Sequence, residues 1–300
     1  MWLIFSIVSA LFLGSYDLFN KASLNKNAVI PVLFFSTLTG AVMFMFPVVF
    51  SALFHHYAST QFWYIPESSW HEQGYYFLKS VIVGISWMFS YFAVKHLPIT
   101  IASPIRASAP MWTLIGAITI FGERLSLLQW AGLILTIFFY FLFSLAGNKE
   151  GIDFRKNKWV WFMLMATLTG VVSALYDKFL IAHFNRLAVQ AYSDFYLVLV
   201  FLPALLFVWY PNRAKTNHFQ WRNTIPMISI SLLIADCSYF YSLSCAGSLL
   251  AIISVLRRSN VVISFSLGAV IFKETNMKSK SIALVGILVG LVLVILGSQK

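Results

Sequence analysis

Ten long runs of apolar residues, separated by short polar turns, set the pattern of this sequence. Each run is close to the roughly 20 residues that a helix needs to cross the hydrocarbon core of a bilayer. The runs are continuous rather than alternating, which favours helices over the strands of an outer-membrane barrel. The pattern therefore predicts an all-α membrane protein with ten transmembrane helices, at about 2–20, 29–54, 76–96, 98–121, 126–146, 158–181, 188–210, 225–246, 248–272 and 280–298.

The composition agrees with a membrane protein and predicts no soluble domain. Of the 300 residues, 60% are hydrophobic and only 10% are charged, against about 25% charged in soluble domains. The first apolar run lacks a cationic start and a clear cleavage site, so we expect it to remain as a span. The net charge of +11 comes from cations in short loops, which is typical of membrane topology rather than of nucleic-acid binding.

Part of the second half of the sequence matches the first. The stretch IASPIRASAPMWTLIGAITIFGERLS (101–126) aligns with IISVLRRSNVVISFSLGAVIFKETN (252–276). In this alignment four polar positions coincide: Ser103 with Ser254, Arg106 with Arg257, Ser108 with Ser259 and Glu123 with Glu274. A Tyr-Asp pair likewise occurs at 16–17 and again at 176–177. The two halves are therefore interpreted as one duplicated unit.

The odd number of spans in each unit determines how the two units are oriented in the membrane. The polar stretch 148–157 separates five predicted spans from five, so the second unit must enter the membrane from the opposite side. Inverted repeats of this kind are the plan of many secondary transporters. We predict a first five-helix repeat over 1–147 and a second over 158–300, around a central cavity.

Two further stretches resemble a known family. FGERLSLLQWAGLIL (121–135) and its weaker counterpart FKETNMKSKSIALVGILV (272–289) resemble the EamA-type, ten-helix branch of the drug/metabolite transporter superfamily. The resemblance extends over nearly the whole chain. It implies a basket of ten helices with a cavity between the halves, and transport of a small solute or headgroup.

The arginines within the apolar runs are the strongest candidates for a binding site. Arg106 and Arg257 each lie about nine residues into a span, roughly 13 Å deep, where a cation costs about 2.5–3.5 kcal/mol. Inverted repeats bring the two toward one midplane site, and Arg258 is adjacent. A guanidinium binds carboxylate or phosphate through two parallel hydrogen bonds. Alternatively, the arginines are structural and tied to acids or free carbonyls.

Polar and aromatic residues on the same or equivalent spans complete the predicted substrate site. Ser103 and Ser254 share a helix face with the two arginines. Aromatic walls for a planar or apolar part of a ligand are predicted on the third and eighth spans, at Trp87, Tyr91, Tyr239 and Tyr241. Packing against lipid or neighbouring helices is the alternative for each of these rings.

Four acids are candidates for coupling or charge balance. Asp194 and Asp236 lie deep in the seventh and eighth spans, where they either pair with Arg257 or Arg258 or carry protons. Asp17 and Asp177 lie near span ends, where interfacial or packing roles are favoured over substrate contact. No comparably deep acid is expected beside Arg106 in its own half.

Other chemistry is weakly supported. The sequence contains no P-loop, dinucleotide fingerprint or nucleophile-base arrangement, so we expect neither an enzyme nor an ATP-driven pump, and no cofactor. Cys237 and Cys245 lack metal-ligand spacing, and no metal site is predicted. Gly286 and Gly290 predict a close helix contact, either within the monomer or in a homodimer.

Topology and location follow from the loop charges. Loops after odd-numbered spans carry most of the Lys and Arg residues, which places those loops in the cytoplasm and both termini outside. The family resemblance instead implies termini inside. The expected location is the plasma (inner) membrane, as a multi-pass protein.

The leading hypothesis is a secondary transporter of a small metabolite that carries an anionic group, working by alternating access with possible proton coupling. A flippase for a lipid-linked headgroup is the alternative within transport. A non-transporting membrane receptor or assembly subunit is the alternative from another class.

Overall fold

The computed structural model describes residues 1–61, 63–97, 105–106, 108–145, 157–213, 218–260 and 277–297. Within these ranges the chain is 83% helical with no strand. The described residues form eleven α-helices, with a π-helical turn at Ala204–Trp209 after the eighth. In chain order the helices are α1 Trp2–Leu24, α2 Val29–Leu53, α3 His55–Ala58, α4 Trp70–His96, α5 Ala109–Phe121, α6 Leu127–Leu145, α7 Lys158–His183, α8 Arg186–Pro203, α9 Thr224–Ser244, α10 Leu250–Arg258 and α11 Met277–Gly297.

Six of these helices are long and apolar enough to cross a membrane: α1, α2, α4, α7, α8 with its π-helical turn, and α9. The expected all-α membrane fold is therefore confirmed. Each of the ten predicted spans overlaps one of the described helices. The arrangement of ten spans as two inverted repeats, with boundaries at 147 and 158, stays a prediction.

Several helices differ from the predicted spans at their ends, and for α4 and α8 the physical reason is local. Helix α4 begins at Trp70, six residues before the predicted start at 76. Ser69 and Glu72 form a capping box there, each side chain bonding the other's backbone N–H, which stabilises the first turn in polar surroundings. Helix α8 ends at Pro203 and continues as the π-helical turn, because proline lacks the N–H that a regular α-helical hydrogen bond requires.

The halves of the sequence interleave instead of lying side by side. Helix α1 packs along α9, α4 along α7, and α6 along α11, so the most extensive helix pairs join the first half to the second. Helix α10 lies at the centre, and the side chains of Ile252, Ile253 and Val255 are completely buried. This burial fixes the segment that carries Arg257.

The contact between α6 and α11 depends on glycine. A Cβ atom added to Gly290 would lie 2.2 Å from the Thr136 hydroxyl oxygen, and one added to Gly286 would lie 2.3 Å from the Phe139 ring. These glycines let the two helices approach closely, as in small-residue contacts of membrane helices. The predicted close contact is therefore made within the monomer.

Gly290→Ala is expected to destabilise the protein by about 1–3 kcal/mol, because the new methyl group must displace backbone as well as side-chain atoms. Thermal unfolding in detergent would measure the loss. The matched control is Gly74→Ala in α4, where an added Cβ has no neighbour within 4 Å. Equal melting temperatures for the two variants would contradict the close contact.

Candidate functional site

Asp236 and Arg257 form an ion pair between α9 and α10. The Arg257 Nη2 atom donates to Asp236 Oδ1 at 2.7 Å. The guanidinium also lies over the Tyr239 ring, 3.9 Å from its centroid. Such stacking stabilises a cation removed from water. The deep acid and arginine of the second half are thus partners in this conformation.

A second polar cluster joins α1, Arg106 and the end of α10. Arg106 Nη2 lies 4.0 Å from Asp17 Oδ1, and Asn260 Nδ2 donates to Asp17 Oδ2 at 2.7 Å. The sequence predicts no deep acid beside Arg106 in its own half, whereas the structure places Asp17 of that half next to it. This pairing arises because α1 continues to Leu24, which places Asp17 about 10 Å from the helix end.

Asp177 of α7 is paired with Lys79 of α4, and both side chains are more than nine-tenths buried. The Lys79 ammonium also lies 4.7 Å from the centroid of the Phe240 ring. Since the pair is enclosed between helices, Asp177 does not reach the headgroups as its position near a span end had indicated. The contact links the two halves of the chain.

Glu123, in the turn after α5, links the same halves at the bundle end that also holds the N-terminus. Its carboxylate accepts the backbone N–H groups of Leu250 at 2.7 Å and Ala251 at 3.2 Å, and it pairs with Lys178. These N–H groups begin α10 and have no partner within the helix. Glu123 therefore caps the helix that carries Arg257.

A pocket lies between α1, α2, α4, α8 and α9, with about 400 Å³ of space when its open side is included. Trp87 and Tyr91 line it as predicted, together with Tyr16, whose hydroxyl is 3.1 Å from that of Tyr91. Polar side chains face the same space: Ser36, Thr37, Gln190, Asp194, Ser229 and Asp236. The arrangement combines aromatic walls with oxygen-rich surfaces.

Asp194 differs from the other acids of this region. It lines the pocket, yet none of the described residues gives it a hydrogen bond or an ion pair. Across the pocket, a Cβ added to Gly40 would lie 3.8 Å from Asp194 Oδ2. The carboxylate thus packs against α2 at a position without a side chain.

The remaining predicted residues are placed as follows. The Tyr241 ring packs against Phe5 with ring centroids 4.1 Å apart and the rings tilted by 39°, and neither it nor Tyr239 is among the residues that line the pocket. Ser254 and Arg258 are partly buried on α10. Ser103 lies outside the described residues. Within the described ranges no group of three His, Cys, Asp or Glu side chains is placed to hold a metal ion.

Residues 1–145 match the model of the EamA-like transporter family. This match supports an EamA-type protein of the drug/metabolite transporter superfamily. A crystal structure of another protein resembles this EamA-type protein over 98% of both chains, with a TM-score of 0.71 and 14% sequence identity, which shows a shared fold. No curated protein matches the chain. Family membership indicates a multi-pass membrane transporter of small molecules.

Two residues of the charge network in this EamA-type protein escaped the sequence analysis. The count of loop charges treats Lys79 as a loop cation although it lies in the predicted span 76–96, and Glu123 is noted only as a match to Glu274. The motif Ser69-Trp-His-Glu72 is a capping-box signature, and it indicates an earlier start of α4, which places Lys79 well inside the helix instead of at its beginning. For Glu123, no local sequence signal indicates that it caps a helix 127 residues later.

Proposed function

We propose that this EamA-type protein is a secondary transporter in the plasma membrane that moves a small metabolite carrying an anionic group by alternating access. The proposal rests on the exposure and the loose ion pairing of Arg106. Its side chain is 39% exposed inside a helix bundle, and it lies 4.0 Å from Asp17, beyond an ordinary charged hydrogen bond of about 2.7–2.9 Å. A cation held this loosely is free to bind an anionic ligand.

Arg257 is proposed to act with Arg106 in a different way. Its side chain is 19% exposed and its ion pair with Asp236 is short, at 2.7 Å. Its Nε atom is buried and has no hydrogen-bond partner among the described residues. An unpaired buried donor is costly. A carboxylate or phosphate oxygen of the substrate would satisfy this donor while Asp236 holds the guanidinium in place.

Contacts between the halves at both bundle ends support alternating access. At the end that holds the N-terminus, Glu123 caps α10. At the opposite end, the Asn27 side chain exchanges two hydrogen bonds with the Gln220 backbone, at 2.7 and 2.9 Å. A carrier that opens to one side at a time must break one set of contacts while it keeps the other.

Solute exchange in proteoliposomes would test the proposal. Organic acids, amino acids, nucleotides and sugars would be screened first for thermal stabilisation of the purified protein, and stabilising solutes would then be tested for exchange. We expect stabilisation and exchange by solutes with a carboxylate or phosphate. Stabilisation by a lipid-linked headgroup alone would favour the flippase, and no exchange of any solute would favour a receptor or assembly subunit.

A further inference from the structure

The described acids inside the bundle divide into four that contact a cation and one that does not. Asp17, Asp177, Asp236 and Glu123 each contact a Lys or Arg side chain. Asp194 has no such contact to a described residue. A carboxylate in a membrane interior is unfavourable unless a positive charge compensates it. The charges of the described residues therefore leave Asp194 in need of a compensating cation.

The charged and titratable groups around Asp194 do not supply that cation. Helix α2 contains no charged or titratable side chain. Helix α4 has Tyr91 and Lys79 on this side, and Lys79 already forms an ion pair with Asp177. Helix α9 has Asp236 and Cys237 on this side, and Asp236 already forms an ion pair with Arg257. From α1 comes Tyr16, which bonds Tyr91. Compensation must come from outside the described side chains.

Gln190 is a second, independent sign of a ligand at this place. Its residue is 4% exposed, and its Oε1 atom is buried with no hydrogen-bond partner among the described residues. It precedes Asp194 by four residues on α8, so the two side chains share a helix face, and both line the pocket. A buried carbonyl oxygen without a donor is unfavourable, and a bound cation or a protonated carboxyl group would satisfy it.

We propose that Asp194 and Gln190 form the binding site of a small cation, a proton or Na⁺, that is exchanged during transport. The site deepens the proposed function, on which its role in transport rests. Carboxylate and amide oxygens are ligands for hard cations, and a single carboxylate matches a single positive charge.

Thermal unfolding of the purified full-length protein tests the site without any transported solute. Melting temperature would be measured in NaCl against choline chloride at fixed pH, and from pH 8 to pH 5 in choline chloride. We expect the wild type to be stabilised by Na⁺, which identifies a sodium site, or by lower pH alone, which identifies a proton site. Asp194→Asn should lose this dependence and resemble the cation-bound wild type.

Two further variants keep the test decisive. Gln190→Leu, which removes the carbonyl oxygen, should weaken the apparent cation affinity at least tenfold. This variant tests the site if Asp194→Asn does not fold. Glu67→Gln, at an exposed acid outside the bundle, should leave the dependence unchanged. A wild type insensitive to both cations, or an Asp194→Asn variant that keeps the full dependence, would overturn the site.

The site and the proposed function can fail separately. Cation-dependent stability that Asp194→Asn abolishes would establish the site even if no anionic solute is exchanged, in which case the proposed function is wrong. Conversely, exchange of anionic solutes with no cation effect on stability would support the function and refute the site.

Discussion

Arg106→Ala is expected to reduce exchange of the anionic solute strongly while the protein remains folded. The guanidinium is partly exposed and only loosely paired with Asp17, so its removal leaves no buried charge without water. Loss of a charge-assisted contact to substrate costs about 2 kcal/mol or more, which corresponds to roughly 30-fold weaker binding. Exchange rates in proteoliposomes, together with an unchanged melting temperature, measure the effect.

The double variant Asp17→Asn, Arg106→Ala separates substrate binding from a purely structural ion pair. If Arg106 serves only to balance Asp17, neutralising both residues restores exchange. If Arg106 binds the substrate, the double variant stays inactive, which is the result we expect. Arg213→Ala is the matched control, because this arginine lies outside the bundle, stacked on Tyr210. Normal exchange by Arg106→Ala would contradict the assignment.

The helical membrane fold and the depth of the arginines were accessible from the sequence, because both depend on local hydropathy. Arg106 and Arg257 stand out as cations within apolar runs, and each contacts an acid in the structure. The pairing of Asp236 with Arg257 is among the expected alternatives, since both residues lie deep in consecutive predicted spans. Depth within each span is sufficient to predict this contact.

Ion-pair partners that lie far apart in the sequence could not be predicted from it. The sequence places Asp17 near a span end because the apolar run stops at 20, whereas the helix extends to Leu24. Lys79 and Asp177 are 98 residues apart, and only the packing of α4 along α7 brings them together. Asp194 stands out because the other acids are paired, and those pairs are themselves long-range contacts.

Lys79→Ala is expected to be the most destabilising single substitution among the residues discussed. Lys79 and Asp177 are both more than nine-tenths buried, so the variant leaves a buried carboxylate without its counter-ion. Breaking a buried ion pair from one side costs roughly 3–5 kcal/mol. Thermal unfolding and the yield of monodisperse protein in detergent would measure the loss. Lys178→Ala removes the cation of a partly exposed pair and should cost less.

Lys79→Met combined with Asp177→Leu should restore most of the lost stability, because apolar residues of similar volume remove both charges at once. This rescue distinguishes a packing role from a functional one for Asp177. Exchange by the stable double variant would place Asp177 outside the transport cycle and leave Asp194 as the acid that titrates or binds a cation. Failure of the double variant to regain stability would show that the ammonium has partners besides Asp177, of which the Phe240 ring is the nearest described candidate.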